Sequence, residues 1–327
     1  MSERAVSNLN KPDAALELTL RPSLFSEFIG QTKVKERLEI AVVAAKQRGE
    51  VLGHILFSSP PGFGKTALAH ILANVMGANL KITSGSAIES ASDLAGLLTN
   101  LEEGDMMFID EIHRLPRTIG EYLCPAMQDF KLDVIIDQGP NARSVRLNLP
   151  RFTLIGTTTK KERLEHTLLS CFPIVESLDG YAVEELANIA IRFAKLLNIG
   201  IDVSAAERIA GSADGTPLGV LYLFRRVRDY SQVKYNGHIS IAAANEALQM
   251  FAETKKASES ALGRDAIPSA LRREVWRRDG GKCVKCGSRE NLEYDHIIPI
   301  SRGGSNTARN IELLCEGCNR SKGASIE

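Results

Sequence analysis

The sequence predicts an α/β protein: a parallel sheet covered on both faces by helices, then an all-helical segment, then a small metal-stapled module. Three observations predict it. Short apolar runs alternate with helix-length segments through the first half of the 327 residues. One of those runs enters a Pro-Gly-rich turn that closes on Lys65-Thr66. Near the C-terminus, Cys283-x-x-Cys286 and Cys315-x-x-Cys318 bracket Asp295-His296 and Asn310, and Asn319 follows directly.

The elements follow in order. Residues 1–17 are polar and expected to be flexible. After Gly30-Gln31, the apolar period from Val34 to Arg48 predicts a helix. His54–Ser59 is a short apolar run, hence a buried strand, and Lys65–Met76 is the helix after it. Asn79–Thr83, Met106–Ile109, Phe152–Gly156 and Ile174–Ser177 are the other candidate strands, with helices between them. Such alternation argues for a parallel sheet with both faces covered. Val134–Asp137 and Ser144–Leu147, around Gln138-Gly139-Pro140-Asn141, form a hairpin inserted into that pattern. From Val183 to Phe251 the period is helical throughout, broken at Gly200, Gly215 and Gly237. Residues 252–267 are a linker, and a basic helix from Pro268 to Asp279 leads into the first cysteine pair. The expected domains are therefore 18–180, 181–251 and 268–327.

Composition sets bounds. The chain is 44% hydrophobic and 24% charged, with forty Lys/Arg against forty Asp/Glu, so bulk charge does not point to a nucleic-acid partner. The segment from Arg264 onward is only mildly basic, with twelve Lys/Arg against nine Asp/Glu. No run reaches the roughly 18 apolar residues of a membrane span. Met1–Leu18 lacks the pattern of a secretory signal. Four of the six cysteines lie in the paired motifs, which suit structural zinc in a reducing cytoplasm better than disulfides. Cys124 and Cys171 stand alone and are expected to be buried small residues.

The turn Ser59-Pro60-Pro61-Gly62-Phe63-Gly64-Lys65-Thr66 matches a phosphate loop except that Ser59 replaces the first glycine. Backbone N–H groups there wrap phosphates, and the following helix N-terminus favours their charge. Lys65 would reach the β/γ-phosphates, and Thr66 the magnesium. At the end of the Met106–Ile109 run, Asp110 would hold magnesium and Glu111 would polarise the attacking water.

Beyond these residues, Arg21-Pro22, Phe28-Ile29-Gly30-Gln31, Thr99–Asp105, Ile109–Leu115 and Arg225–Asp229 make residues 18–250 resemble the RuvB family. These are AAA+ motors that drive branch migration of Holliday junctions. The resemblance implies a five-stranded sheet with a helical lid, a hexameric ring, ATP/ADP with Mg²⁺, and DNA as partner. It places Phe28, Ile29 and Tyr181 near adenine and makes Thr158 or Thr159 the sensor of the γ-phosphate. It also matches residues 133–149 to the insertion that meets RuvA. The sequence departs from the family where arginines are expected, with Leu169, Cys171 and Leu218 in their places. An arginine finger is worth roughly 10³–10⁵ in rate, so slow hydrolysis is expected. A winged-helix DNA-binding domain does not follow the lid, and the cysteine-rich module stands there instead.

Residues 268–324 resemble an HNH endonuclease of the zinc-stapled ββα-metal type, in an HNN variant. Phosphodiester hydrolysis needs an activated water and neutralised charge. The resemblance makes His296 the general base, and Asp295 and Asn319 ligands of a catalytic Mg²⁺ or Mn²⁺. Asn310 holds the loop or orients His296. Cys283, Cys286, Cys315 and Cys318 bind structural Zn²⁺. A zinc ribbon that binds without cutting is the alternative. Arg272, Arg273, Arg277 and Arg278, with Trp276, suit phosphate contact, as does Arg302 beside Gly303-Gly304. The whole chain is thus expected to be a DNA endonuclease coupled to a nucleotide-binding ring. Two alternatives stay open: a nucleotide-assembled scaffold that clusters nucleases, and a regulator that joins a host RuvB ring.

Overall fold

A computed structural model describes residues 19–136, 143–251, 269–298, 305 and 307–322. The N-terminal segment, the turn at 138–141, the linker and Arg302-Gly303-Gly304 lie outside the described residues. The chain divides into two compact units, residues 1–248 and 249–327.

The first unit is built on five parallel strands. They are β1 (Ile55–Ser58), β2 (Leu80–Ser84), β3 (Met106–Asp110), β6 (Thr153–Thr158) and β7 (Ile174–Ser177). Their order across the sheet is β2-β3-β6-β1-β7. Ile55 pairs with Ile155 on one side and Ile174 on the other, and Met106 pairs with Leu80 and Thr153. The central strands are apolar through both faces because helices cover each. On one face, α1 (Thr32–Arg48) and α2 (Lys65–Met76) enclose Leu38, Phe57, Leu68 and Phe108. On the other, α3 (Ala91–Thr99) and α4 (Arg117–Gln128) enclose Ile109, Leu94, Leu123 and Phe152. Local chemistry sets the ends. A Ser90/Asp93 capping box starts α3, and left-handed Gly77 ends α2.

The antiparallel hairpin β4 (Lys131–Ile136) and β5 (Arg143–Asn148) forms its own two-stranded sheet, with Leu132 opposite Leu147. Short α5 (His166–Ser170) precedes β7. The lid follows as α6 (Val183–Leu196), α7 (Val203–Ser212), α8 (Pro217–Lys234) and α9 (residues 241–251). Thr216 caps α8, its hydroxyl accepting from Gly219 N–H at 3.0 Å, and Pro217 stands at the first helical position. Among the described residues, no helix is long and apolar enough to cross a membrane.

The second unit contains α10 (Ser269–Arg278), antiparallel strands β8 (Leu292–His296) and β9 (Ile311–Cys315), and α11 (Glu316–Lys322). Asp295 pairs with Glu312 and His296 with Ile311. Val275 and Ile311 are fully buried against Leu271, Tyr294 and Ala308. So small a core needs a staple.

Candidate nucleotide and nuclease sites

The strand order brings the C-terminal ends of β3, β6 and β1 side by side, where open α/β sheets bind ligands. A cavity of about 350 Å³ opens there. Pro61, Gly62, Gly64, Lys65, Thr66, Phe28, Ile29, Tyr181, Asp110 and Glu111 line it. Pro60 and Phe63 belong to the loop but do not line the cavity. The Phe63 carbonyl accepts the Tyr181 hydroxyl at 3.1 Å. Gly62 and Gly64 have φ of +84° and +96°. A Cβ on Gly62 would lie 3.1 Å from Leu218 and Thr216, and one on Gly64 3.0 Å from Phe28. The lid and the stretch from Leu20 to Phe28 thus close on bare backbone. Arg192 joins them, donating to the Leu20 carbonyl at 2.6 Å and pairing with Glu27 at 3.3 Å.

Lys65 is buried, and its ammonium donates to the carbonyls of Ser59 and Pro60 at 2.8 Å each. Burial pushes its pKa down, and Asp110 and Glu111 oppose that shift. Incoming phosphate oxygens offer this cation stronger acceptors than the two carbonyls.

Three consecutive threonines divide the polar work. Thr157 donates to Asp110 Oδ1, and Glu111 N–H donates to Thr157 Oγ1 and Asp110 Oδ1 at 3.1 Å each. Thr158 Oγ1 lies 3.0 Å from His113 Nδ1, and His113 Nε2 lies 3.2 Å from Glu111 Oε2. Thr159 donates to the same Glu111 oxygen at 3.0 Å. Of the two sensor candidates, Thr159 therefore touches Glu111 directly, whereas Thr158 touches it through His113. Thr157 and His113 were not named as site residues from the sequence; Thr157 stands on β6, and His113 lies in the turn after β3, within the quoted Ile109–Leu115 stretch. Glu111 itself has φ of +50°, and a Cβ on Gly85 would lie 2.5 Å from its carbonyl oxygen.

At the expected arginine positions, Leu218 lines the cavity beside Gly62. Leu169 packs against the core beneath the sheet. Cys171 is buried, its thiol donating to the Thr167 carbonyl at 3.2 Å, and Cys124 is buried as expected. Burial pushes the Cys124 thiol up to about 12, and its hydrogen bond with Cys171 adds to the shift.

In the second unit, the four sulfurs of Cys283, Cys286, Cys315 and Cys318 all lie within 4.8 Å of one another. That spacing fits a tetrahedral zinc with bonds of about 2.3 Å. Burial pushes the Cys283 thiol up, but N–H groups of Cys286, Cys315 and Lys285 outweigh it and bring it down to about 6. Hydrogen bonds shared with Cys315 and Cys286 push Cys318 up to about 12. The thiols compete for one negative charge, and a divalent cation would relieve that competition.

Two side-chain rungs join β8 to α11. Asn319 Nδ2 donates to Glu293 Oε2 at 2.7 Å. Lys322, buried, donates to Asp295 Oδ2 and the His296 carbonyl at 2.7 Å each, and to Glu312 Oε1 at 2.8 Å. Asp295 and Asn319 thus lie on one strand–helix face, and their oxygens suit a hard cation. Asn310 clamps the loop after β8. Its Oδ1 accepts from Ile298 N–H at 2.8 Å, and its Nδ2 donates to the Ile298 and Ser305 carbonyls at 3.0 Å each. Its bonds hold the loop's backbone.

The four helix arginines divide. Arg278, though exposed, is engaged within the unit, pairing with Asp279 at 2.6 Å and donating to the carbonyls of Ala308 and Ile311. Arg272 stacks over the Tyr294 ring, 5.8 Å from its centroid. Arg273 and Arg277 are exposed with Trp276. The expected four-arginine phosphate surface is thus narrowed, because Asp279 and the β9 backbone recruit Arg278.

Comparison with known proteins finds a family for each part of the chain. Residues 20–178 match the Holliday junction DNA helicase RuvB P-loop domain and residues 181–252 the RuvB AAA lid domain. Residues 283–325 match the HNH endonuclease family. The Holliday junction branch migration complex subunit RuvB of Protochlamydia amoebophila (strain UWE25) is 50% identical over 250 residues, covering 76% of this chain and 75% of that one. The Thermotoga maritima RuvB Holliday junction branch migration motor superimposes with a TM-score of 0.65 at 32% identity, over 94% of this chain and 100% of that one. A point variant of Thermotoga maritima RuvB is 41% identical over 71% of this chain and 73% of that one, with a TM-score of 0.64.

Proposed function

Because this chain belongs to the RuvB family and carries an HNH endonuclease domain after its lid, we propose that it is a DNA endonuclease whose cutting is positioned or regulated by nucleotide bound in a RuvB-type ring. The carrying observation is one chain holding both a phosphate loop that closes on Lys65 and, in its second unit, a β8–α11 pair that carries Asp295, His296 and Asn319 next to a four-cysteine cluster. The ring is hexameric by analogy with the family, and the β4–β5 hairpin is the surface for a RuvA-like partner. The cellular compartment that fits is the cytoplasm.

At the nuclease site, the His296 imidazole takes a proton from water as that water attacks the phosphorus of a DNA phosphodiester, the P–O bond to the leaving deoxyribose oxygen breaks, and that oxygen takes a proton from solvent. Asp295 and Asn319 would hold a Mg²⁺ or Mn²⁺, which would supply charge neutralisation at the phosphate. Asn310 keeps the neighbouring loop in place, and the four cysteines hold zinc as a structural staple. Arg273 and Arg277 contact the DNA backbone.

At the nucleotide site, Phe28, Ile29 and Tyr181 face adenine, and the loop N–H groups with Lys65 bind phosphate. Thr66 and Asp110 hold magnesium. Glu111, fixed by Thr159 and His113, orients the attacking water.

A second reading, that nucleotide assembles the ring with slow turnover, draws on Leu169, Cys171 and Leu218. Aliphatic and thiol groups there give the γ-phosphate no cation. Joining a host RuvB ring, whose subunits would supply the missing arginine, is compatible with either.

The test is cleavage of linear, nicked and four-way-junction DNA, each with no nucleotide, ADP or ATP, by the full chain and by His296→Ala. Cutting that depends on His296 and changes with nucleotide is expected. Cutting unaffected by nucleotide would remove the coupling, and cutting by His296→Ala at the full rate would remove the assigned base.

A further inference from the structure

We propose that Glu293 is a positioning residue that decides which end of the Asn319 amide faces the catalytic cation. The inference rests on the reading of Asn319 as a metal ligand.

An asparagine amide offers a metal only its oxygen, so a ligand asparagine is useful in one of two orientations. The two ends differ little in shape, and rotation by a half turn exchanges them. A carboxylate is an acceptor only. Whatever faces Glu293 Oε2 at 2.7 Å must therefore be the amide nitrogen. With Nδ2 committed there, Oδ1 takes the other end of the planar amide. The opposite orientation would set two oxygens, one of them charged, against each other with no proton between them.

The backbone makes this bond possible. Glu293 and Asp295 lie two apart on β8 and so share a face. Asn319 and Lys322 lie three apart on α11 and so share a helix face. The two rungs Glu293–Asn319 and Asp295–Lys322 each hold one ligand residue through a partner that does not itself bind the metal. Partners that orient ligands in this way typically change metal affinity by about 10–100-fold when removed.

The experiment is Mn²⁺ titration of the full-length, zinc-loaded, nucleotide-free chain, with free Mn²⁺ followed by electron paramagnetic resonance. The relevant site is the one lost in Asp295→Ala. Glu293→Leu should weaken it by about 10–100-fold. Glu293→Gln should give an intermediate loss, because glutamine can donate or accept and leaves the amide free to turn. In an Asn319→Asp background, Glu293→Gln and Glu293→Leu should bind alike, since a carboxylate presents oxygen at both ends. Zinc content should stay the same throughout. Equal losses for Glu293→Gln and Glu293→Leu would show that Glu293 acts through its charge and would overturn the proposal. So would unchanged affinity in Glu293→Leu while Asn319→Ala binds weakly. Unchanged affinity in Asn319→Ala would instead remove the ligand reading, and this inference with it.

Discussion

Lys322 shows how one side chain can hold a site together. Its ammonium meets two carboxylates and a carbonyl within 2.8 Å, and burial alone would push its pKa down. The bonds to Asp295 and Glu312 reverse that, so the net shift is upward and the group stays charged at neutral pH. Lys322→Met leaves Asp295 facing Glu312 across the strand pair with no cation between them. The second unit should lose about 1–3 kcal/mol, the cost of leaving partly buried acceptors unmet. Trp276, the one tryptophan of the chain, lies in that unit, so its emission in a urea titration reports the loss. An unchanged midpoint would contradict this role. His296, Asp295 and Asn319 were named from the resemblance to HNH endonucleases. Lys322, Glu293 and Glu312 were not, because their partners are fixed by the β8–β9 register and the approach of α11.

At the scale of elements, the second unit is two strands and two helices with Val275 and Ile311 at its centre. Zinc can contribute on the order of 10–16 kcal/mol to such a module. Cys315→Ser, or a chelator, should therefore unfold the second unit and leave the first folded. Limited proteolysis should then cut freely between residues 269 and 322, while the large helical circular dichroism signal of residues 19–248 persists. Because zinc needs thiolates, affinity should fall as pH is lowered and the cysteines are protonated. Metal analysis finding no zinc in protein prepared without chelator would exclude the staple. Element type was legible where punctuation was strong: α2 runs from Lys65 to Met76 between left-handed Gly64 and Gly77. The helix before the first knuckle was legible too. The engagement of Arg278 by Asp279 and by the carbonyls of Ala308 and Ile311 was not, because those partners come from the turn after the helix and from the β9 side of the unit.

At the scale of the whole molecule, the question is how much work the nucleotide site does. The cavity, Lys65, Asp110 and Glu111 are in place, so binding should be clear and Lys65→Ala should abolish it. Hydrolysis should be slow, because Leu218 covers Gly62 where a guanidinium would meet the γ-phosphate. Leu218→Arg should raise steady-state phosphate release by about tenfold or more, equivalent to roughly 1.4 kcal/mol of barrier. Cys171 is buried and Leu169 half-buried against the same core, so arginine at position 171 has to leave the core before it can reach a neighbour, and arginine at 169 has to give up part of that packing. Rapid ATP turnover by the unmodified monomer would refute this account. The parallel sheet followed from the alternation of apolar runs with helices; its strand order β2-β3-β6-β1-β7 did not. The inward packing of Leu169 and Cys171 did not, since a leucine or cysteine in sequence does not say which way it turns.

The close approach of Gly85 to the Glu111 carbonyl has a genetic consequence. The two residues are 26 positions apart, yet even a methyl group on Gly85 must displace the peptide that aims Glu111. The loop, Lys65 and the second unit are untouched by that displacement. Gly85→Ala is therefore the expected separation-of-function allele, retaining nucleotide affinity and DNA cutting while turnover is lost. A selection that scores nuclease output alone would pass it unseen, and one that scores hydrolysis would recover it alongside Glu111→Gln.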